Sequence, residues 1–188
     1  MHQVKEAGYD GVEMNIPDDP KFSIQLRALL EQHELLLVAQ QYLPPATESP
    51  EVYTRKMERY LEHLATFRPL FINAHTGKDY YDFDTNCRII ERAEQISTKA
   101  AVPLLHETHR GRFSFSTFSI KPFFEKFPDL RLTADFSHWC CVSETYLEDQ
   151  SEIMQEAIRR SEHIHARVGH TEGPQVPHPE APEWKEAL

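Results

Sequence analysis

The feature that most constrains the fold is a repeat, in which a short apolar run ends in polar residues about every 30 positions. The intervals between the polar ends are 27 to 35 residues, from Glu13 to His165. Apolar residues at helical spacing fill each interval, as in Tyr53, Met57 and Leu61. A strand, a helix and two connections need about this length, so the repeat predicts parallel strands joined by helices. The predicted strands are residues 10–14, 35–40, 70–75, 102–107, 130–136 and 162–168.

Parallel strands of this kind either close into a barrel or spread into an open sheet. Neither G-x-G-x-x-G nor G-x-x-x-x-G-K-[ST] occurs, so the phosphate-binding turn of a nucleotide-binding open sheet is missing. A complete barrel takes about 250 residues, and this chain has 188. We therefore predict an α/β fold of the (β/α)8 TIM-barrel type, present as a partial barrel of about six βα repeats, with residues 1–188 as a single domain.

Local signals place some of the helix starts. Ser49, Pro50 and Glu51 supply an N-cap, a proline for the first helical position and an early acidic residue. Asp84 and Ser143 are expected to cap two further helices.

Charge and composition restrict the partners. Thirty acidic and 20 basic residues give a net charge of -10, which argues against nucleic acid. No run of 18 apolar residues and no apolar leader is present, so we expect no membrane association and a cytoplasmic protein. Cys87, Cys140 and Cys141 lack the spacing of a zinc finger and are expected to be reduced.

Polar side chains stand where the predicted strands end. In a parallel barrel the carboxyl ends of the strands converge on one mouth, so we expect these side chains to meet there. They are His75, Glu107, Asp135, His138 and His165.

Three of these residues have the chemistry of metal ligands. Glu107, Asp135 and His165 offer two carboxylates and an imidazole, a mixed set that suits Mn, Mg, Co or Zn without deciding between them. The alternative is a cluster of ion pairs in which Arg110, Arg112 or Arg167 neutralises the acids. The residues alone leave both readings open.

Five segments resemble the xylose isomerase-like TIM-barrel superfamily, which contains sugar isomerases, epimerases, inosose dehydratases and the endonuclease IV group. AGYDGVEMNIP resembles its second strand, FINAHTGKDYY the fourth, LLHETHRGR the fifth, LTADFSHWC the sixth and HIHARVGH the seventh. The first and eighth strands have no counterpart here, so we expect a partial barrel that is a fragment, a truncated product or one that completes itself as a homo-oligomer.

The resemblance implies a metal held by a Glu, an Asp, a His and a second Glu from strands five to eight. It assigns the first three positions to Glu107, Asp135 and His165, and leaves the fourth without a counterpart. It also implies isomerisation or epimerisation of a sugar, sugar phosphate or related polyol or keto acid through an enediolate-type proton transfer. Glu107 would be the base as well as a ligand, and His138 would hold a substrate oxygen.

Other side chains are expected to bind a small carbohydrate-like substrate. His75, Arg167 and Glu13 are the candidates, with structural hydrogen bonds or ion pairs as the alternative for each. Trp139 either lines the pocket or packs in the core, and the loop that begins at Lys78 is expected to be solvated.

Two other functions stay open. A non-catalytic or truncated barrel would only bind a small ligand or a partner subunit, and an endonuclease IV-like phosphodiesterase would need a basic groove, which the net charge disfavours. Metal content separates the three, since an isomerase predicts about one ion per chain, a nuclease two or three and a degenerate binder none.

Overall fold

The computed structural model describes residues 1–173, 175–178 and 180–181, and these form strands that alternate with helices. The strands are β1 (Gly11–Asn15), β2 (Leu36–Gln41), β3 (Ile72–Ala74), β4 (Leu104–Glu107), β5 (Leu132–Ala134) and β6 (Ser161–Ile164). The helices are α1 (His2–Glu6), α2 (Pro20–Gln32), α3 (Pro50–Ala65), α4 (Phe83–Ala100), α5 (Thr117–Lys126), α6 (Ser137–Ser143) and α7 (Ser151–Arg159). Each of the six strands overlaps one of the six predicted runs, so the predicted alternation is confirmed.

By its contacts the chain divides into two compact units, of which the first comprises residues 1–75 and 88–104. Its strands β1, β2 and β3 pair in parallel in chain order, with Glu13 opposite Val38 and Gln41 opposite Ala74. A Cβ atom at Gly11 would lie 2.5 Å from the carbonyl oxygen of Leu36, which explains the glycine at this close approach. The core of this unit contains Ile16, Leu37, Tyr53, Met57, Leu61, Ile72 and Ile90.

The second unit comprises residues 76–87 and 105–188, apart from the positions that the structure does not describe. Its strands β4, β5 and β6 also pair in parallel, with Glu107 opposite Thr133 and Thr133 opposite His163. The core contains Phe113, Phe123, Phe124, Leu132 and Trp139. Both units therefore have the parallel pairing that the repeat predicts, while a single domain over residues 1–188 stays a prediction.

The predicted helix caps are right at one site and wrong at two. Ser49 caps α3, since its hydroxyl oxygen accepts a hydrogen bond from the Val52 amide at 3.4 Å. Asp84 lies inside α4, and the carboxylate that accepts from the amide of Thr85 is Asp82, at 2.7 Å. Ser143 is the last residue of α6 and caps nothing that follows, because α7 begins eight residues later.

Two helices were not predicted, and several strand boundaries differ from the predicted ones, with β1 and β2 ending one residue later and β6 beginning one residue earlier. The helices α1 and α6 have five and seven residues, too short to give a periodic apolar pattern. Strand β6 ends at Ile164 rather than at residue 168, so the last predicted polar residues lie beyond it. No helix in the described part of the chain is long and apolar enough to cross a membrane. The three cysteines form no disulfide, as expected.

Candidate metal centre

Three polar residues meet at the carboxyl ends of the strands of the second unit. Glu107 is the last residue of β4, Asp135 follows β5 directly, and His165 follows β6 directly. The Nδ1 atom of His165 lies 3.7 Å from Oε2 of Glu107 and 3.7 Å from Oδ2 of Asp135. Neighbouring parallel strands end at the same edge of a sheet, so their terminal side chains are brought together.

Asp135 is fixed by the turn that follows β5. It is fully buried, and its backbone amide donates to the hydroxyl oxygen of Thr108 at 2.8 Å. One carboxylate oxygen, Oδ1, accepts a hydrogen bond from the hydroxyl of Ser137. The other, Oδ2, lies 3.1 Å from Nε of Arg167 and 3.8 Å from Nε2 of His138. The Oδ2 atom of Asp135 is thus surrounded by nitrogen atoms of two histidines and one arginine.

These neighbours keep Asp135 ionised. Burial by itself raises the pKa of this carboxyl, but the polar side chains of His165 and Ser137 and the charge of Arg167 outweigh burial and lower the pKa below its ordinary value. At neutral pH the side chain is therefore a carboxylate, which is the form that binds a cation.

His138 is buried beside this carboxylate in a neutral form. Burial lowers its pKa to about 4, although the charge of Asp135 acts in the opposite direction. Its ring centroid lies 4.0 Å from that of His109. Neither ring nitrogen has a hydrogen-bond partner among the described residues. Burying an imidazole without hydrogen-bond partners destabilises the fold unless a ligand supplies a partner. The position of His138 therefore favours a bound group at this site.

The donor atoms fit a divalent cation. Glu107, Asp135 and His138 each offer one ligand atom within 4.8 Å of the others, and all three are buried. The imidazole of His165, whose side chain is 15% exposed, adds a nitrogen at the edge of the group. Carboxylate oxygens and neutral imidazole nitrogens are the donors that Mn, Co and Zn accept, and the carboxylates also suit Mg.

One part of the ion-pair alternative is also present. Of the three arginines considered, Arg167 pairs with Asp135, while Arg110 donates to Sγ of Cys141 at 3.8 Å and Arg112 donates to the carbonyl oxygen of Gly77 at 3.5 Å. The cluster therefore combines a metal-type donor set with the guanidinium of Arg167.

The two remaining candidates, Glu13 and His75, belong to the first unit. The carboxylate of Glu13 accepts a hydrogen bond from Nδ2 of Asn73 at 2.8 Å. The ring of His75 lies edge-on to that of Tyr42, with centroids 5.3 Å apart, and its Nε2 is 3.4 Å from Nε2 of Gln40. Their part in substrate binding stays a prediction.

The sequence did not predict the side chains that position Asp135, and the predicted exposure of one lysine is wrong. The hydroxyls of Thr108 and Ser137 hold Asp135, and the only available signal was their position in the segments HETH and DFSH. The solvated loop predicted at Lys78 is wrong for that residue, which is buried. Trp139 packs in the core, and its indole N–H donates to the carbonyl oxygen of Ser114 at 2.7 Å.

Comparison with known proteins decides the family. A sequence model described as xylose isomerase-like TIM barrel matches residues 1–176. The chain belongs to this family. No curated protein matches it significantly.

Solved structures of this family share the fold at low sequence identity. A D-tagatose 3-epimerase-like protein is 15% identical with a TM-score of 0.67, and the match covers 93% of this chain and 73% of the other. The probable 3-DHS dehydratase AsbF from Bacillus anthracis is 16% identical with a TM-score of 0.65, covering 97% and 70%. A xylose isomerase-like TIM barrel protein from Mycobacterium smegmatis, in complex with magnesium, is 12% identical with a TM-score of 0.67, covering 88% and 64%. The predicted family and the partial TIM-barrel type of fold are therefore confirmed.

Proposed function

We propose that the xylose isomerase-like chain binds one divalent cation through Glu107, Asp135 and His165 and isomerises or epimerises a sugar, sugar phosphate or related polyol or keto acid. The observation that carries the proposal is the 3.7 Å approach of one imidazole nitrogen to two buried carboxylates at three successive strand ends. Support for the cation comes from the magnesium complex of the M. smegmatis family member, and support for the reaction from the epimerase-like one.

The chain's own groups divide the work of a proton transfer. A divalent ion, when bound, would supply a positive charge beside the substrate oxygens. Glu107 takes the proton from the carbon beside the substrate carbonyl, since its carboxylate is buried and faces the same group of donors. In an isomerisation the protonated Glu107 then returns this proton to the neighbouring carbon, which restores its carboxylate. His138 holds a substrate oxygen as a neutral imidazole, and Arg167, at the edge of the site, holds an anionic substituent.

Metal content is the first test. Elemental analysis of the purified chain, run beside gel filtration, is expected to give about one Mn, Co, Zn or Mg ion per folded chain. Asp135→Asn removes a ligand charge that sits between two imidazoles and is expected to lower metal content at least about tenfold. Asp129→Asn, an exposed position in the same unit, is the matched control and is expected to keep the wild-type content. A folded wild-type chain without metal would contradict the proposal.

Chemistry is tested through exchange of carbon-bound hydrogen. Incubating ketoses and keto acids with the metal-loaded protein in deuterated water is expected to place deuterium beside the carbonyl, which proton NMR detects. Glu107→Gln is expected to lower this exchange about 10²–10⁴-fold. Exchange that survives in Glu107→Gln would assign the base to another residue.

A non-catalytic binding barrel is the second candidate, and one observation favours it. Arg167 already compensates Asp135 at 3.1 Å, as it would in a structural cluster that never binds metal. The two candidates differ in the metal analysis, because a structural cluster predicts a folded, metal-free chain.

A further inference from the structure

We propose that Arg167 is a counter-ion that the divalent cation displaces from Asp135, so that this carboxylate exchanges one positive partner for another. The inference rests on the proposed function in one respect, because it requires the second unit to bind a cation. It adds that the site contains its own competitor for the metal, and that metal binding releases a guanidinium.

The competition follows from the different partners of the two oxygens of Asp135. Oδ1 is occupied by the hydroxyl of Ser137. Oδ2 lies 3.7 Å from Nδ1 of His165 and 3.8 Å from Nε2 of His138, so a cation that is also bound by an imidazole must use this oxygen. Nε of Arg167 lies 3.1 Å from the same atom. A divalent ion at Oδ2 would place a second positive charge about 4 Å from the guanidinium, and the repulsion between the two charges opposes the contact of Arg167 with this oxygen.

Arg167 is placed so that it can leave. Its side chain is 37% exposed, whereas the side chain of Asp135 is fully buried. It lies beyond the end of β6, where its backbone amide donates to the carbonyl oxygen of His165 at 2.8 Å. The contact that holds the guanidinium in the site is the ion pair of its Nε with Asp135. Breaking this ion pair therefore releases the guanidinium from Asp135.

The pairing has a physical reason in the metal-free state. A carboxylate that is buried without a compensating positive charge destabilises the fold. Arg167 supplies that charge when no cation is bound, and the energy of this pair must be given up when a cation arrives. The energy of the ion pair therefore lowers the apparent affinity for the metal. The released guanidinium of Arg167 can then bind a carboxylate or phosphate of the substrate.

Mn²⁺ affinity measured by titration calorimetry tests the exchange. Arg167→Gln is expected to bind Mn²⁺ about tenfold more tightly than the wild type, within the usual range of coupling between two sites. Arg159→Gln is the matched control, since it removes the same charge from an exposed side chain at the end of α7, before β6 begins. It is expected to change the affinity less than about twofold, because exposed charges are screened by solvent and salt.

The outcomes separate this inference from the proposed function. Equal or weaker Mn²⁺ binding by Arg167→Gln, beside binding by the wild type, overturns the inference alone. Equal tightening in Arg159→Gln also overturns it, because the effect would then be general. A wild-type chain that binds no Mn²⁺ overturns the proposed function and the inference together.

A second measurement follows the arginine itself. The Nε–H signal of Arg167 in the NMR spectrum is identified by its loss in Arg167→Gln. Saturation with Zn²⁺, which is diamagnetic, is expected to shift this signal and to speed its exchange with water as the ion pair breaks. A signal that stays unchanged in the Zn²⁺-loaded protein would mean that Arg167 remains on Asp135.

Discussion

At the scale of single residues, the loop that leads from β3 into α4 depends on a glycine. Gly77 has a φ of +65°, a left-handed conformation, and an added Cβ would lie 2.2 Å from Oδ1 of Asn86. The Asn86 side chain holds the loop together, accepting from the amide of Lys78 at 3.1 Å and donating to its carbonyl oxygen at 2.9 Å. One methyl group at Gly77 therefore disturbs both the backbone and this bridge.

We expect Gly77→Ala to lower the free energy of unfolding by about 2–4 kcal/mol, through backbone strain together with the loss of buried hydrogen bonds. Gly111→Ala separates the two effects, since Gly111 has a φ of +79° but nothing within 4 Å of an added Cβ. It should cost only the strain, about 1–2 kcal/mol. Urea unfolding followed by circular dichroism measures both free energies of unfolding. Equal losses in the two variants would show that the Asn86 side chain moves aside without destabilising the fold.

The same scale shows what the sequence could not predict in the site. The ends of apolar runs located Glu107, Asp135 and His165, because strand ends follow from hydrophobic pattern alone. The hydrogen bonds of Thr108 and Ser137 to Asp135 depend on the turn after β5, which the pattern does not determine. The burial of Lys78 likewise depends on a contact eight residues away, with Asn86. Contacts made by loops were therefore beyond the reach of periodicity.

At the scale of elements, one phenol joins α3 to the end of β1. The amide of the buried Ile16 donates to the hydroxyl oxygen of Tyr60 at 3.1 Å, and this hydroxyl lies 2.7 Å from Oδ1 of Asn15. Tyr60→Phe leaves the amide of Ile16 without that acceptor and is expected to cost about 1–3 kcal/mol in thermal or urea unfolding. Tyr80→Phe, at a side chain that is 66% exposed, should cost under about 0.5 kcal/mol. Equal losses of stability in the two variants would contradict a role of the Tyr60 hydroxyl in holding α3 to the end of β1.

The same phenol predicts a pH dependence. Burial raises the pKa of Tyr60 above its ordinary value of 10.0, although its hydrogen bond with the Ile16 backbone acts in the opposite direction. The unfolded chain then loses this proton first, so the stability from neutral Tyr60 is complete below pH 10 and is lost as the pH rises through the folded-state pKa. An absorbance titration of tyrosinate should show one late tyrosine that is missing in Tyr60→Phe. Superimposable titrations would contradict this.

Strand and helix positions were predictable to different degrees for a physical reason. Each of the six strands overlaps one predicted run, and the buried strands β3, β4 and β5 lie wholly inside theirs, because a buried parallel strand requires a continuous apolar stretch. The short helices α1 and α6 give too few turns for a periodic signal. In β6 the alternation of His163 and His165 continues past the last residue of the strand at Ile164, so side-chain pattern overestimated its length.

At the scale of the whole molecule, net charge separates the sugar-type reaction from a nuclease of the same fold. A net charge of -10 repels a duplex over a distance of about the Debye length, roughly 8–10 Å at physiological salt. Ordinary non-specific binders hold DNA with Kd values of about 1–100 µM by neutralising phosphates. We expect this chain to bind a labelled duplex more weakly than that range, as measured by fluorescence anisotropy.

The salt dependence of DNA binding and the metal content together distinguish the phosphodiesterase from the isomerase. A protein with a basic groove loses about 10³–10⁵ in affinity between 50 and 200 mM salt, whereas an acidic chain without such a groove should show no binding to lose at either concentration. The metal-loaded chain is the right sample, because a bound cation changes the local charge at Asp135 and could itself attract phosphate. Steeply salt-dependent binding of a duplex with an abasic site, together with two or three metal ions per chain, would favour the phosphodiesterase. One ion and no duplex binding at either salt concentration leave the isomerase as the better assignment.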